Sequence, residues 1–225
     1  LPAAGTGNIA SFVASSNGSS VAVATITVMP SAMGCPGPSK NFTITVNPLP
    51  SVAQPVDQTL CNGTSTNGVS FTGSMNSIST YNWTNNNPSI GLAASGTGDI
   101  APFAAINNSS VPVTATITVT PSANSCPGPA KTFTITINPS PAINAGNNQN
   151  VCLGNSATLN ATGAIQYLWS PATGLSCTTC PNPVVTPVDS VRYTVRGESN
   201  LGCFAFDTVL LTVSRPFQML ISPDD

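Results

Sequence analysis

The chain contains a long internal repeat. Residues 1–50 recur at residues 92–141 with a constant offset of 91 and no gap, and roughly 31 of the 50 positions are identical. The likeness includes Cys35-Pro-Gly-Pro38, which returns as Cys126-Pro-Gly-Pro129. A period of about 90 residues is too long for a solenoid repeat or a propeller blade, so each unit must bury a core of its own. The repeat therefore predicts a tandem array of small domains.

Several segments alternate apolar residues with threonine. Thr25-Ile-Thr-Val28, Phe42-Thr-Ile-Thr-Val46 and Phe133-Thr-Ile-Thr-Ile137 have the period of two that is typical of a strand with one buried and one wet face. Successive side chains of a strand point to opposite faces, so Phe133, Ile135 and Ile137 are expected in a core. No segment shows a helical period. The pattern predicts all-β modules built as β-sandwiches.

Proline-rich segments mark the predicted domain boundaries. Asn47-Pro-Leu-Pro50 and Asn138-Pro-Ser-Pro141 each follow a terminal strand, where alternate prolines end the ladder and stiffen the backbone. Ser214-Arg-Pro216 is a weaker boundary. The predicted units are the C-terminal half of a module at 1–50, a complete second module at 51–141, a complete third module at 142–214 and the start of another at 215–225. Placed end to end at about 35 Å each, they would form an elongated rod.

The composition argues against catalysis. Charged residues make up 5% of the chain and histidine is absent, so little acid, base or metal-ligand chemistry is available. No enzyme, metal or cofactor is predicted. A net charge of −2 with five lysines and arginines supplies no basic surface for nucleic acid. No apolar run approaches the roughly 18 residues of a spanning helix, so no membrane span is expected in this fragment.

The cysteines indicate disulfides and hence an oxidising, extracellular compartment. Cys61 and Cys152 lie in the early strand region of their modules, and Cys126 and Cys203 lie in the late hairpin. Cys61 is therefore expected to pair with Cys126, and Cys152 with Cys203. Cys35 is the repeat equivalent of Cys126, so its partner is expected before residue 1. Seven cysteines in total fit this assignment, because an odd number leaves one without a partner.

Cys177-Thr-Thr-Cys180 is spaced like a redox motif. A redox-active pair needs a thiol pKa lowered by a helix N-terminus in a βαβ setting. Here the motif lies in an all-β context and is followed by Pro181-Asn-Pro183. We therefore favour a disulfide that closes a structural loop.

Each complete module carries an aromatic pair after its first cysteine. Tyr81 and Trp83 in the second module, and Tyr167 and Trp169 in the third, stand two positions apart, so both rings of a pair point to one face of a strand. If that face is inward, the four rings are core aromatics packed near the disulfide. If it is outward, the rings offer a platform for sugars. We favour the core.

Segments of both complete modules resemble known families of repeated modules. Trp83-Thr-Asn-Asn-Asn-Pro-Ser-Ile90, Ala115-Thr-Ile-Thr-Val119 and Cys126-Pro-Gly-Pro129 are similar to the PKD-like repeats of very large Bacteroidetes surface proteins. Val151-Cys-Leu-Gly-Asn-Ser156, Tyr167-Leu-Trp169 and Tyr193-Thr-Val195 resemble the related Ig/PKD-like modules of gliding-motility-associated proteins.

The resemblance implies export by the type IX secretion system to the bacterial outer surface, as part of an adhesin or surface filament. Partners would be neighbouring modules of the same chain, surface glycans or proteins, and the secretion machinery. Asp189-Ser-Val191 and Asp207-Thr-Val209 also resemble the O-glycosylation motif of that phylum, which marks Ser190 and Thr208 as candidate sites.

Three functions follow as hypotheses. The first is a non-catalytic stalk that holds an adhesive region away from the cell. The second is that the modules themselves bind glycans or proteins, which requires exposed aromatic rings such as Trp83 and Trp169 or an unpaired strand edge. The third is an accessory role within a large secreted protein or hydrolase. The exposure of the two indole rings separates the first hypothesis from the second.

Overall fold

The computed structural model describes residues 1–16, 20–75 and 79–215, and nearly all of the predicted further module at 215–225 lies outside them. The described residues form sixteen strands, one short 3-10 helix at Pro88–Ile90 and no α-helix, which confirms the all-β prediction. The strands are β1 Ala22–Val28, β2 Ser31–Ala32, β3 Cys35–Pro36, β4 Lys40–Val46, β5 Gln58–Cys61, β6 Thr80–Asn85, β7 Ser95–Thr97, β8 Val113–Ala123, β9 Cys126–Pro127, β10 Lys131–Asn138, β11 Gln149–Cys152, β12 Ala157–Thr158, β13 Gln166–Ser170, β14 Val184–Val185, β15 Val191–Glu198 and β16 Phe204–Ser214.

The strands form five sheets. Strands β1 and β4 form a two-stranded antiparallel sheet, and β2 pairs with β3 at its end. The second sheet has the order β5-β10-β8-β6-β7, with β9 paired to β8. The third sheet has the order β11-β16-β15-β13, and β12 pairs with β14 in a small sheet of its own. Strand β11 runs parallel to β16, whereas β15 is antiparallel to both of its neighbours.

The described chain packs as two compact units. The first contains residues 1–58, 66–103 and 115–135, and the second contains residues 59–65, 104–114 and those from 136 onward. The module boundaries at 50, 141 and 214 remain predictions.

In the first unit, equivalent residues of the two repeats differ in burial. Phe133 of β10 is 2% exposed, whereas its repeat equivalent Phe42 of β4 is 45% exposed. Among the described strands β1 and β4 pair only with each other, and most side chains of this sheet are exposed. In β8, by contrast, Ala115, Ile117 and Val119 alternate regularly with half-buried threonines. The predicted period of two thus matches the burial in the larger sheet.

The predicted third module lies within the second unit and is a sandwich. The four-stranded sheet faces the small β12-β14 sheet across one buried cluster. The cluster consists of Ala145, Val151, Leu159, Ala161, Trp169, Val185, Tyr193, Val195, Val209 and Leu211. Burial of these apolar side chains is the main stabilising contribution of this unit.

The two predicted late hairpins, which carry Cys126 and Cys203, are both tight. Ala123 pairs with Cys126 across a two-residue turn, Asn124–Ser125, in which both residues have positive φ (49° and 63°). This conformation matches a type I′ turn, whose twist suits a hairpin. In the third module Glu198 pairs with Phe204, and the N–H of Ser199 donates to the carbonyl of Cys203 at 2.8 Å. Each hairpin carries one cysteine at its tip.

Candidate functional site: the cysteine junction and an exposed aromatic face

The principal disulfide joins Cys61 to Cys203. Cys61 ends β5 in the second module, and Cys203 lies fully buried in the hairpin between β15 and β16 of the third. Their Cα atoms are 5.5 Å apart although 142 positions separate them in the chain. The backbone N–H of Cys203 donates to the hydroxyl of Ser199 at 3.3 Å, which helps to fix the hairpin tip. Both cysteines belong to the second packing unit, so the bond links two predicted modules inside it.

The predicted pairs Cys61–Cys126 and Cys152–Cys203 are wrong. Cys152 lies opposite Ser214 at the end of β16, whereas Cys203 directly precedes the first residue of that strand. Eleven residues of strand at about 3.3 Å each put the two cysteines about 36 Å apart. A disulfide requires Cα atoms within about 7 Å.

The same arrangement separates Cys61 from Cys126. The N–H of Asn62 donates to the carbonyl of Asn138 at 2.9 Å, which places Cys61 beside the last residue of β10. Cys126 lies before Lys131, the first residue of that strand. Cys61 therefore lies near the last residue of β10, whereas Cys126 precedes its first residue.

Three cysteines remain thiols in the described structure. Cys35 and Cys152 are exposed and Cys126 is half-buried. The predicted upstream partner of Cys35 stays a prediction.

Two asparagines, Asn62 and Asn107, fix the loops next to Cys61. The amide of buried Asn107 donates to the carbonyls of Val111 and Ile137 at 2.8 and 2.7 Å, and its backbone N–H donates to the side-chain oxygen of Asn62 at 2.9 Å. A buried amide with its donors satisfied fixes the loops around it. In the sequence Asn107 begins one of several Asn-x-Ser/Thr segments, so nothing there distinguished it.

Cys177 and Cys180 are bonded to each other, with Cα atoms 6.0 Å apart. The loop they close serves Trp169, whose indole N–H donates to the carbonyl of Cys180 at 3.1 Å. The backbone N–H of Trp169 donates to the carbonyl of Thr178 at 2.7 Å. The loop that this disulfide closes thus supplies two carbonyl acceptors to Trp169.

The predicted core aromatics point inward. Tyr81, Trp83 and Trp169 are buried, and Tyr167 is half-buried with its hydroxyl donating to the carbonyl of Ala164 at 2.9 Å. Neither indole is therefore available as a platform for a sugar. The two differ in one respect, since the indole nitrogen of Trp83 is buried without a hydrogen-bond partner among the described residues.

Gly96 leaves the space that Trp83 occupies. Gly96 pairs with Trp83 across β7 and β6, and a β-carbon on Gly96 would overlap the indole ring. Gly96→Ala is expected to cost about 1–3 kcal/mol in the free energy of unfolding, because the ring must leave its packed position. The matched control is Gly5→Ala, at the equivalent position of the first repeat, where nothing lies within 4 Å. Denaturant unfolding of both variants checks this, and equal effects would contradict it.

Two buried tyrosines predict a loss of stability in alkali. Burial raises the pKa of Tyr193 above its ordinary value of 10.0, and its hydroxyl donates to the carbonyl of Thr173 at 2.7 Å. Burial, together with the negative charge of Asp99, raises the pKa of Tyr81. A raised folded-state pKa contributes stability that is complete below the unfolded pKa and is lost as pH rises through the folded pKa.

The free energy of unfolding is thus expected to be level up to about pH 9 and to fall above pH 10, by at most about 1.4 kcal/mol per pH unit for each buried tyrosine. Tyr193→Phe should make the decline shallower. Urea unfolding between pH 8 and 11, after alkylation of the free thiols, measures this. An unchanged slope in Tyr193→Phe would show that this hydroxyl contributes nothing.

An aromatic face on the third module was not predicted. Phe204 and Phe206 of β16 are 50% and 60% exposed, and their rings lie edge to face with centroids 5.6 Å apart. The guanidinium carbon of Arg196 lies 4.4 Å from the centre of the Phe204 ring, and Arg196 also pairs with Glu198 at 3.0 Å. Exposed Leu168 continues the row, opposite Arg196 on β13. These five residues define the phenylalanine face.

Both candidate glycosylation residues are exposed. The hydroxyl of Ser190 accepts from the N–H of Val213 at 2.9 Å, and Thr208 projects from β16. The preceding aspartates have structural partners, since Asp207 accepts from the N–H of Ala145 at 2.8 Å. Whether sugars are attached stays a prediction.

Acidic side chains are similarly occupied elsewhere. Asp57 accepts from the N–H of Thr134, and Asp99 accepts from the N–H of Phe71. Within residues 1–16, 20–75 and 79–215, no three histidine, cysteine, aspartate or glutamate side chains gather as a metal site would require. No helix in the same residues is long and apolar enough to cross a membrane.

A comparison with solved structures finds proteins that are similar to this chain at low identity. The IG1 and IG2 domains of DIP-gamma are 12% identical to this chain. The match covers 74% of this chain and 98% of the DIP-gamma chain, at a TM-score of 0.39. The insect immune protein hemolin is 14% identical. The match covers 84% of this chain and 56% of the hemolin chain, also at a TM-score of 0.39. SGBP-B of the Bacteroides ovatus mixed-linkage glucan utilization locus, solved in complex with a mixed-linkage heptasaccharide, is 12% identical; the match covers 74% of this chain and 48% of SGBP-B, at a TM-score of 0.29.

Comparison with curated proteins finds no relative of this chain. The family comparison is more specific, because residues 57–141 match the model of the PKD-like domain. This segment lies within the predicted second module and ends at the same residue. Residues 57–141 are therefore similar to a PKD-like domain.

Proposed function

We propose that this chain is a run of non-catalytic spacer modules in a secreted surface protein, holding a distal adhesive region away from the cell. The observation that carries the proposal is the Cys61–Cys203 bond, which fastens the second predicted module to the third. A spacer must resist separation of its modules under load, and a covalent bond at their junction supplies that resistance. The few charges and the absence of histidine give the chain little catalytic chemistry.

Small-angle X-ray scattering tests the spacer. Modules of about 35 Å each predict a maximum dimension near 100 Å and a cross-section of one sandwich. Reduction of the disulfide should broaden the distribution of lengths, because the junction then depends on hydrogen bonds and the seam alone. A compact, folded-back particle under oxidising conditions would contradict the proposal.

Bacterial adhesin or filament identity, with export by the type IX system, is the finer part of this proposal. It is supported by the sequence resemblance of both complete modules. Exposure of Ser190 and Thr208 is compatible with glycan attachment at the outer surface. Intact-mass measurement of the protein secreted by its host, with Ser190→Ala and Thr208→Ala as matched variants, should show added hexose-containing mass that the variants lack. An unmodified mass would remove the glycosylation hypothesis.

A second candidate function is binding through the phenylalanine face. Two exposed rings beside a half-exposed Arg196 and Glu198 offer stacking together with polar contacts, which suits a glycan or a peptide. Phe206→Ser should abolish binding in a glycan array or a pull-down from surface proteins. Val188→Ser, at another exposed apolar position of the same module, is the control and should bind normally. Equal signals from both variants would reject this face as the binding surface.

A further inference from the structure

Five of the seven cysteines occupy only two kinds of position. Cys61 and Cys152 end the first strand of a module, and we call this the strand-end position. Cys35, Cys126 and Cys203 lie at the hairpin tip, which we call the hairpin position. The one bond among these five joins a strand-end cysteine to the hairpin cysteine of the module that follows it.

We propose that Cys35, Cys126 and Cys152 are half-sites for the same bond with further modules of this kind. Cys152, at a strand end, would take the hairpin cysteine of a following module. Cys35 and Cys126, at hairpins, would each take the strand-end cysteine of a preceding module. The inference deepens the proposed spacer function and rests on it, because it converts one bonded junction into a continuous series.

The strand-end positions are held in the same way in both modules. The N–H of Asn62, after Cys61, donates to the carbonyl of Asn138 at the end of β10 at 2.9 Å. The N–H of Leu153, after Cys152, donates to the carbonyl of Ser214 at the end of β16, also at 2.9 Å. Cys152 is thus presented at the end of its module as Cys61 is, but its thiol is exposed and unbonded.

The hairpin positions share a second feature, which is contact with the end of the preceding module. In the third module the carbonyl of Leu201 accepts from the side chain of Asn138, which begins the seam at 138–141, at 3.5 Å. In the second module Gly128 lies so close to the carbonyl of Pro50 that a β-carbon would overlap it. The hairpin of Cys126 therefore meets the seam at residue 50 much as the hairpin of Cys203 meets the seam at residue 141.

The bond requires an oxidant of the disulfide class, such as an oxidised dithiol protein or glutathione disulfide. The thiolate of one half-site attacks a sulfur of the oxidant, which releases one thiol and forms a mixed disulfide. The second half-site then attacks the mixed disulfide, which releases the other thiol. One disulfide forms, the oxidant is reduced to two thiols, and those thiols take up the two protons that the cysteines lose.

A duplicated module tests the series within one polypeptide. A second copy of residues 51–141 is inserted between Pro141 and Ala142, and the protein is oxidised with glutathione disulfide. Cys61 of the first copy should bond to Cys126 of the second copy, and Cys61 of the second copy to Cys203. Alkylation followed by intact-mass measurement should still find three thiols, as in the parent chain.

Cys126→Ser in one copy at a time makes the test directional. In the second copy the substitution should raise the count to four thiols, because Cys61 of the first copy loses its partner. In the first copy the same substitution should lower the count to two. Equal counts in the two variants, or five thiols in the duplicated parent, would overturn the inference.

Peptide mapping of the protein as its host secretes it decides the matter without any insertion. The Cys126 and Cys152 peptides should each appear bonded to a cysteine peptide from an adjoining module. Non-reducing electrophoresis then separates the two sources of that partner, since bonds between chains give a ladder that reductant collapses and bonds within a chain do not. Thiols at both positions would overturn the series, while an extended scattering profile would still support the spacer.

Discussion

Cys61→Ser is expected to lower the free energy of unfolding of the second unit by up to about 5 kcal/mol. The bond closes a loop with a sequence separation of 142 residues, and the chain-entropy model assigns a cross-link of this length about that value. Since small domains have only about 5–15 kcal/mol of net stability, the loss should be evident as an early thermal transition. Calorimetry and urea unfolding of the oxidised protein measure it.

Cys152→Ser is the matched control for that prediction. Cys152 holds the equivalent strand-end position but is an exposed thiol, so its replacement should change stability by less than about 0.5 kcal/mol. The two variants therefore separate the observed pairing from pairing within each module. Within-module pairs would make Cys152→Ser costly as well.

Trp169→Ala is expected to destabilise the third module by about 3–5 kcal/mol. Trp169 is 2% exposed and lies in the buried cluster between the two sheets, so truncation leaves a large cavity. The variant also removes the indole N–H that donates to the carbonyl of Cys180. Denaturant unfolding followed by tyrosine fluorescence measures the loss.

Leu168→Ala provides the comparison for Trp169. Leu168 is the preceding residue on β13, and its side chain points to the exposed face. The alanine variant should lose less than about 1 kcal/mol, because little apolar area leaves water there on folding. Similar losses in the two variants would mean that the side-chain directions of β13 are reversed.

The sheet pattern was predictable because side-chain period is a local property. The Ile-Thr alternation of β8 and β10 places each apolar residue inward once a second layer covers the sheet. The same pattern in β4 leaves Phe42 exposed, since burial depends on neighbouring strands that local sequence does not describe. The alternation of residues therefore predicted the strands, whereas the burial of their apolar side chains depended on the neighbouring strands.

The cysteine pairs were not predictable from spacing. Position within the predicted modules matched Cys61 with Cys152 and Cys126 with Cys203, but it carries no information on strand direction. Because β11 pairs parallel to β16, the first and last strands of a module bring their cysteines to opposite ends. Only the register across the sheet reveals that the bond must connect successive modules.

The phenylalanine face was missed for a related reason. Strand β16 carries Phe204 and Phe206 on one face and Val209 and Leu211 on the other, so apolar residues occur on both. A strand that is apolar on both sides does not show which face is covered. The inward face is set by packing of Val209 and Leu211 against the cluster that contains Trp169.

The central claim is that a disulfide joins successive modules, and non-reducing peptide mapping of the alkylated chain tests it most directly. In the isolated 225-residue chain, without adjoining modules, we predict one linked peptide pair containing Cys61 and Cys203, with Cys35, Cys126 and Cys152 recovered as alkylated thiols. Recovery of Cys61 linked to Cys126, or of Cys152 linked to Cys203, would contradict it.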